Sequence, residues 1–196
     1  MARQQAADYE QKREIITKQA ADLFAAKGFD GASISDIAAA CNTSKSLIYH
    51  YYPSKEAILF DVMNGHIDLL TAIVDEVSTR NSPPDALFRE LARELMQRYM
   101  GAASHQKVLL YELDNLPADE RLEIVRKQRK IIAFTESLLA AAAPAPVDAA
   151  QLRVRAMLFF GMLNWTHTWF NPAGPVNRDA IADMAAQTTL DALKSD

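Results

Sequence analysis

The sequence predicts an all-helical protein of two domains: a three-helix N-terminal domain containing a helix-turn-helix, and a larger C-terminal helical bundle. Three observations carry this prediction. Ala and Leu dominate, apolar residues recur at three- and four-residue spacing, and no run of alternating β-branched residues appears. Hydrophobic residues fill 49% of 196 positions, enough for a sizeable core. Proline-bearing breaks at Pro83-Pro84, Pro117, Pro144-Ala145-Pro146 and Pro172 cut the chain into helix-length segments. The domain boundary is expected at 53/54, giving 1–53 and 54–196.

The first helix is expected over 9–27, with Ile15, Ile16, Ala20, Leu23 and Phe24 on one face. Gly28 stands at its C′ position, and Phe29 is placed to pack back on the last turn. Ser33 is a natural N-cap, and Asp36 three residues later completes a Ser-x-x-acid capping box. Ile34, Ile37, Ala38 and Cys41 then line one face of a second helix. Asn42 falls where a left-handed residue turns the chain sharply. Thr43 or Ser44 caps a third helix over 45–51, which stops before Pro53 because Tyr52 precedes the proline. Two short helices joined by a tight turn are the signature of an element whose second helix enters the major groove.

The surface chemistry of that element agrees. From Asn42 to Lys55 there are two lysines, one histidine, three tyrosines and no acid. Hydroxyls and ammonium groups on a compact helix suit phosphate oxygens. The net charge of −4 is the wrong sign for a DNA binder, but residues 1–60 hold seven bases and seven acids, so the excess acid lies beyond them. Expected DNA contacts are Ser44, Lys45, Ser46, Tyr49, His50, Tyr51 and Lys55, with Ser33 and Thr43 on flanking phosphates. Lys45 and Tyr49 are the base-edge candidates. Arg3, Lys12 and Arg13 either touch phosphates or form a solvated face.

Ser54 caps a long helix, 54–80, with Ile58, Leu59, Val62, His66, Leu69, Leu70, Ile73 and Val77 expected inward. It links the two domains. Helices follow over 85–102 (Leu87, Leu91, Leu95, Tyr99 and Met100 inward) and 105–115. Another, starting near Pro117 and ending near Ala142, has Leu122, Val125, Ile132, Leu138 and Leu139 inward. The last two, 148–170 and 177–193, carry more apolar surface than one small bundle needs, so they are expected to pair with a second copy in a four-helix interface.

Tyr99, Tyr111, Phe159, Met162, Trp165 and Trp169 combine aromatic bulk, polar tips and flexible Met. As a group they mark a small-molecule pocket, although plain core packing serves for any one of them. No catalytic signature is present: the four histidines are scattered, and there is neither a Gly-rich phosphate loop nor a nucleophile elbow. No enzyme activity, cofactor or metal site is expected. Cys41 reads as a small buried hydrophobe. With no apolar signal core at the N-terminus and no long uncharged apolar run, the protein is expected to be soluble and cytoplasmic, away from membranes.

Gly28-Phe29, Ser33, Ile37-Ala38, Ser44-Lys45, Leu47 through Tyr52 and Ser54-Lys55-Glu56 together resemble the DNA-binding domain of the TetR family of bacterial regulators. Asn42 replaces the family's usual Gly and keeps its backbone freedom. The resemblance implies a homodimeric repressor on a palindromic operator, with an effector in the second domain altering the spacing of the reading heads. Asn164-Trp165, Trp169 and Gly174-Pro175 are similar to the branch that responds to acyl-CoA thioesters. That resemblance implies cations for the CoA phosphates. Arg126 and Arg129 are candidates, as are Lys127 and Lys130, for which a solvated face is the better reading. A regulator of drug efflux and a helical binding protein without DNA function are the alternatives.

Overall fold

The computed structural model describes the backbone of residues 2–194 and the side chains of 8–194; the Arg3 side chain lies outside them. Among the described residues the chain is helical, with α1 (Ala2–Gly31), α2 (Ile34–Ala40), α3 (Lys45–Tyr51), α4 (Lys55–Ser78), α5 (Pro84–Gly101), α6 (Ala103–Tyr111), α7 (Ala118–Ala142), α8 (Ala149–Trp165) and α9 (Arg178–Ala192). Single 3₁₀ turns follow α6 and α8.

The chain divides into two compact units. One holds the residues up to Ile67 together with Ser104–Ile124; the other holds Asp68–Ala103 and the chain from Val125 on. The packing division therefore falls inside α4, some distance past the 53/54 boundary, and α6 joins the N-terminal unit. The physical reason is visible in side-chain bonds. Ser104 Oγ donates to Asp22 Oδ1 at 2.6 Å, and His66 of α4 is hydrogen-bonded to Gln106 of α6 at 2.7 Å. His66 is thus a core histidine with a partner.

In the N-terminal unit α1 is broken at Gly28, whose φ of 76° lets the chain leave the helix as a C′ residue does. Phe29 folds back so that its ring lies 5.4 Å from that of Phe24. Ile16, Phe24, Ile37, Ile48, Ile58 and Leu59 close the core. α4 has the length and apolar content of a membrane span, but its stripe from Ile58 through Met63 and Ile67 to Val77 is buried inside the protein. Met63, Ile67 and Val74 occupy the stripe where Leu69 was expected, and Leu69 is exposed.

In the second unit α5 packs on α9, and α9 on α8. Phe88, Leu91, Leu95 and Tyr99 of α5 are buried, with Phe159 and Leu163 of α8 and Ile181, Ala182 and Ala186 of α9. Asp148 and Asn177 cap α8 and α9 through their side chains. Arg80 draws the end of α4 to α5, pairing with Glu76, Glu90 and Glu94 at 2.9, 3.0 and 2.5 Å.

Candidate nucleic-acid interface

The reading element is set by its caps. Ser33 Oγ accepts the Asp36 N–H at 3.2 Å, while Asp36 Oδ2 accepts the Ser33 N–H at 2.9 Å and its hydroxyl at 2.6 Å. This reciprocal box holds the Asp36 carboxyl down at about 2, first through the Ser33 hydroxyl, then its amide, then Lys27. The Ser33 hydroxyl is therefore engaged by Asp36 as both donor and acceptor. Asn42 takes φ 51° to turn the chain, and the Thr43 N–H reaches back to Ala38 O at 2.9 Å. Ser44, rather than Thr43, caps α3, accepting the Leu47 N–H at 3.2 Å.

Of the seven residues of α3 only Ile48 is buried. It pins the helix, and Lys45, Ser46, Tyr49 and His50 are offered to solvent beside the exposed Ser44; Tyr49 is 54% exposed. Thr43 is half-buried next to them. Tyr51 is shared: its ring lies 4.8 Å from Tyr9 of α1 and 5.3 Å from His50. Sequence reasoning missed Tyr9, because nothing local couples the start of α1 to α3.

Lys55 has partners within the N-terminal unit. Its ammonium donates to the carbonyls of Phe29 at 2.8 Å and Ala32 at 3.0 Å, and stands 4.0 Å from the Phe29 ring centroid. It holds the α1–α2 turn closed at the edge of α3. Cys41 is half-buried, and burial pushes its thiol up, away from a reactive thiolate.

The expected effector residues scatter. Tyr99 and Phe159 are buried; Phe159 lies 4.7 Å from Phe88 and 5.4 Å from Phe160, which makes it core. Burial pushes the Tyr99 phenol well up. Met162 is half-buried. Tyr111, Trp165 and Trp169 are 55%, 62% and 56% exposed, so none lies in an interior pocket, and Tyr111 belongs to the N-terminal unit. Leu122, expected inward, is also exposed. Arg126 and Arg129 are exposed on α7, whereas Lys127 and Lys130 pair with Asp68 and Asp75 of α4 at 2.5 and 2.6 Å.

The second unit instead has an open groove of about 640 Å³ along α4 and α5, lined by Ile73, Arg80, Glu90, Arg93, Glu94 and Arg98 among others. Arg98 Nε is buried without a hydrogen-bond partner, and desolvation lowers its pKa. A search for aromatic and Met-rich segments passes over so charged a groove. A smaller groove of about 380 Å³ lies on α8 beside Val154, Arg155 and Leu158.

Residues 16–62 match the family model of bacterial regulatory proteins, tetR family, and residues 81–193 match that of the tetracyclin repressor-like C-terminal domain. The chain belongs to the TetR family. It is a DNA-binding transcriptional regulator and not an enzyme. Among solved TetR-family structures, a regulator from Bordetella parapertussis 12822 is 38% identical with a TM-score of 0.87, over 91% of this chain and 94% of that one. AibR, solved in complex with isovaleryl coenzyme A and operator DNA, is 29% identical with a TM-score of 0.79, over 90% and 97%. The HTH-type transcriptional repressor KstR2 of Rhodococcus jostii (strain RHA1) is 26% identical over 94% of this chain and 92% of its own length. The HTH-type regulator YuxN of Bacillus subtilis (strain 168) is 30% identical over 60% of this chain, which spans 40% of that protein.

Proposed function

We propose that this TetR-family regulator is a homodimeric repressor, acting in the cytoplasm and released from a palindromic operator by a small-molecule effector of the acyl-CoA thioester class. The observation that carries the effector class is the likeness to AibR along nearly its whole length, a protein solved with isovaleryl coenzyme A and operator DNA. The cations support it. Arg126 and Arg129 stand exposed on α7 while the neighbouring lysines are engaged by aspartates, so the two guanidinium forks are the ones offered to phosphates. Met162 and Trp169 are retained as acyl-side candidates, whereas Trp165 falls on the apolar stripe of α8 described next.

Residues 1–53 read DNA through Ser44, Lys45, Ser46, Tyr49 and His50, with Thr43 and Tyr51 at the edge; 54–196 sense and dimerise. Dimerisation through α8 and α9 is supported by an exposed apolar stripe: Val154, Leu158 and Trp165 at helical spacing, with Met157 beside them and Met184 on α9. Gly161 sits within that stripe with open space over it, where a partner helix approaches closely. Effector binding acts through α4, which runs from one unit into the other.

The test starts from an operator selected out of random duplex DNA by the wild-type protein. Isovaleryl-CoA and longer acyl-CoA thioesters are then titrated against the complex, with free CoA as control. Release by a thioester and not by CoA is expected, with Arg126→Ala and Arg129→Ala raising the half-effective concentration about tenfold. A thioester that binds yet leaves operator affinity unchanged would refute derepression by this class.

A further inference from the structure

The structure assigns to the Tyr52 hydroxyl the task of orienting the recognition helix: with Arg13 and Asp61 it forms a three-helix anchor that sets where α3 leaves the reading surface. This makes the three residues positioning groups for operator recognition, and it rests on α3 being the element that contacts DNA.

Tyr52 is the C-cap of α3, in extended conformation with φ −137° and ψ 123°, and its N–H bonds the Ile48 carbonyl at 2.9 Å. Its side chain is buried, and its hydroxyl is engaged on both sides. It accepts from Arg13 Nε of α1 at 3.2 Å and donates to Asp61 Oδ2 of α4, the oxygen that also accepts from Arg13 Nη2 at 2.8 Å. The guanidinium stands 5.5 Å from the Tyr52 ring centroid as well. One side chain from each of two other helices thus closes a ring of bonds on the residue that ends α3. Burial, and next to it the Asp61 carboxylate, push the phenol above its ordinary range, so Tyr52 remains a donor to Asp61.

A helix of seven residues has no persistence of its own; its direction is imposed at its ends and by what it buries. The N-terminal end of α3 is imposed by Asn42 and the Ser44 cap, its middle by Ile48 alone. The anchor supplies the third point, and that point lies on α4, the helix that leaves this unit. Apolar packing of the ring needs no hydroxyl, since phenylalanine fills nearly the same volume; hydrogen bonds add direction, and base-edge contacts depend steeply on direction.

The decisive substitution is Tyr52→Phe, which removes one oxygen, with Asp61→Asn as the second variant and the pair as the double variant. Full-length protein is titrated onto the operator selected by wild type and onto sonicated heterologous duplex, alongside a thermal melt. Each single variant is expected to bind operator about tenfold more weakly while binding to heterologous duplex stays within about twofold, and the double variant to lose no more than the worse single. Equal losses on both DNAs, unchanged operator affinity, or additive losses in the double variant would each overturn the assignment. Should Tyr52→Phe fail to fold, Asp61→Asn decides by the same ratio. If wild type selects no sequence at all, the reading of α3 fails, an outcome distinct from any of these.

Discussion

α3 and α8 both turn a large share of their surface to solvent, and they do so with opposite chemistry. α3 buries only Ile48 and shows Lys45, Ser46, Tyr49 and His50; α8 buries Phe159, Phe160 and Leu163 and shows Val154, Met157, Leu158 and Trp165. Exposure alone therefore says nothing about role. Ammonium and hydroxyl groups lose little by staying hydrated until a phosphate replaces the water, whereas an apolar stripe in water is a standing cost that a second copy removes. One face suits a charged polymer; the other suits the second copy proposed above.

The largest effect should come from α8. Leu158, 64% exposed, tolerates a charge in the monomer but not in a buried four-helix seam. Leu158→Asp is expected to give a folded monomer by sedimentation and to lower operator affinity at least about a hundredfold, because two linked half-sites become two separate ones. A dimer of unchanged affinity would move the interface elsewhere.

The next effect sharpens the other face by setting two lysines against each other. Lys45→Ala should weaken operator binding about tenfold and reduce the slope of log affinity against log salt by about one, at unchanged melting temperature. Lys55→Ala removes two charge-assisted bonds and a ring contact, so it should cost about 1–2 kcal/mol in a denaturant titration and leave the salt slope as it was. Reversed results would return Lys55 to the phosphate contacts and take Lys45 out.

The smallest effect is a pH dependence. Because the folded protein holds the Asp36 carboxyl at about 2, below its ordinary value near 4, ionised Asp36 favours the folded state. Its contribution is complete above about pH 4 and disappears as pH falls through about 2. Asp36→Asn should flatten the difference between melting curves taken at pH 5 and pH 2.5. Such a variant with the full wild-type pH dependence would mean the box carries none of it.

Local turn and cap signals were legible to within a residue or two. Gly28 and Asn42 are the positive-φ positions among the described residues; the Ser33–Asp36 box formed, Asn177 caps α9, and of Thr43 and Ser44 it is Ser44 that caps α3. These features depend on two to four neighbouring residues. The exposed polar stretch of α3 was legible, but the internal partners of its neighbours were not: the Ser33 hydroxyl bonds Asp36, and the Lys55 ammonium bonds the Phe29 and Ala32 carbonyls.

By itself the sequence determined that the described residues are helical, where the chain breaks between helices, and which short helix presents cations and hydroxyls, because caps, turns and periodicity act over a few residues; the bounds of α1, α6 and α8 differ from those expected by four to seven residues at one end or both. Only the tertiary structure decided which stripe of a long helix faces inward. Leu69, Leu122 and Trp165 point out while Met63, Val74 and Phe88 point in, since a helix with apolar residues on several sides is oriented by what it packs against. It also decided that Tyr52 is held by Arg13 and Asp61, residues 39 and nine positions away, a pairing that separation in sequence leaves invisible.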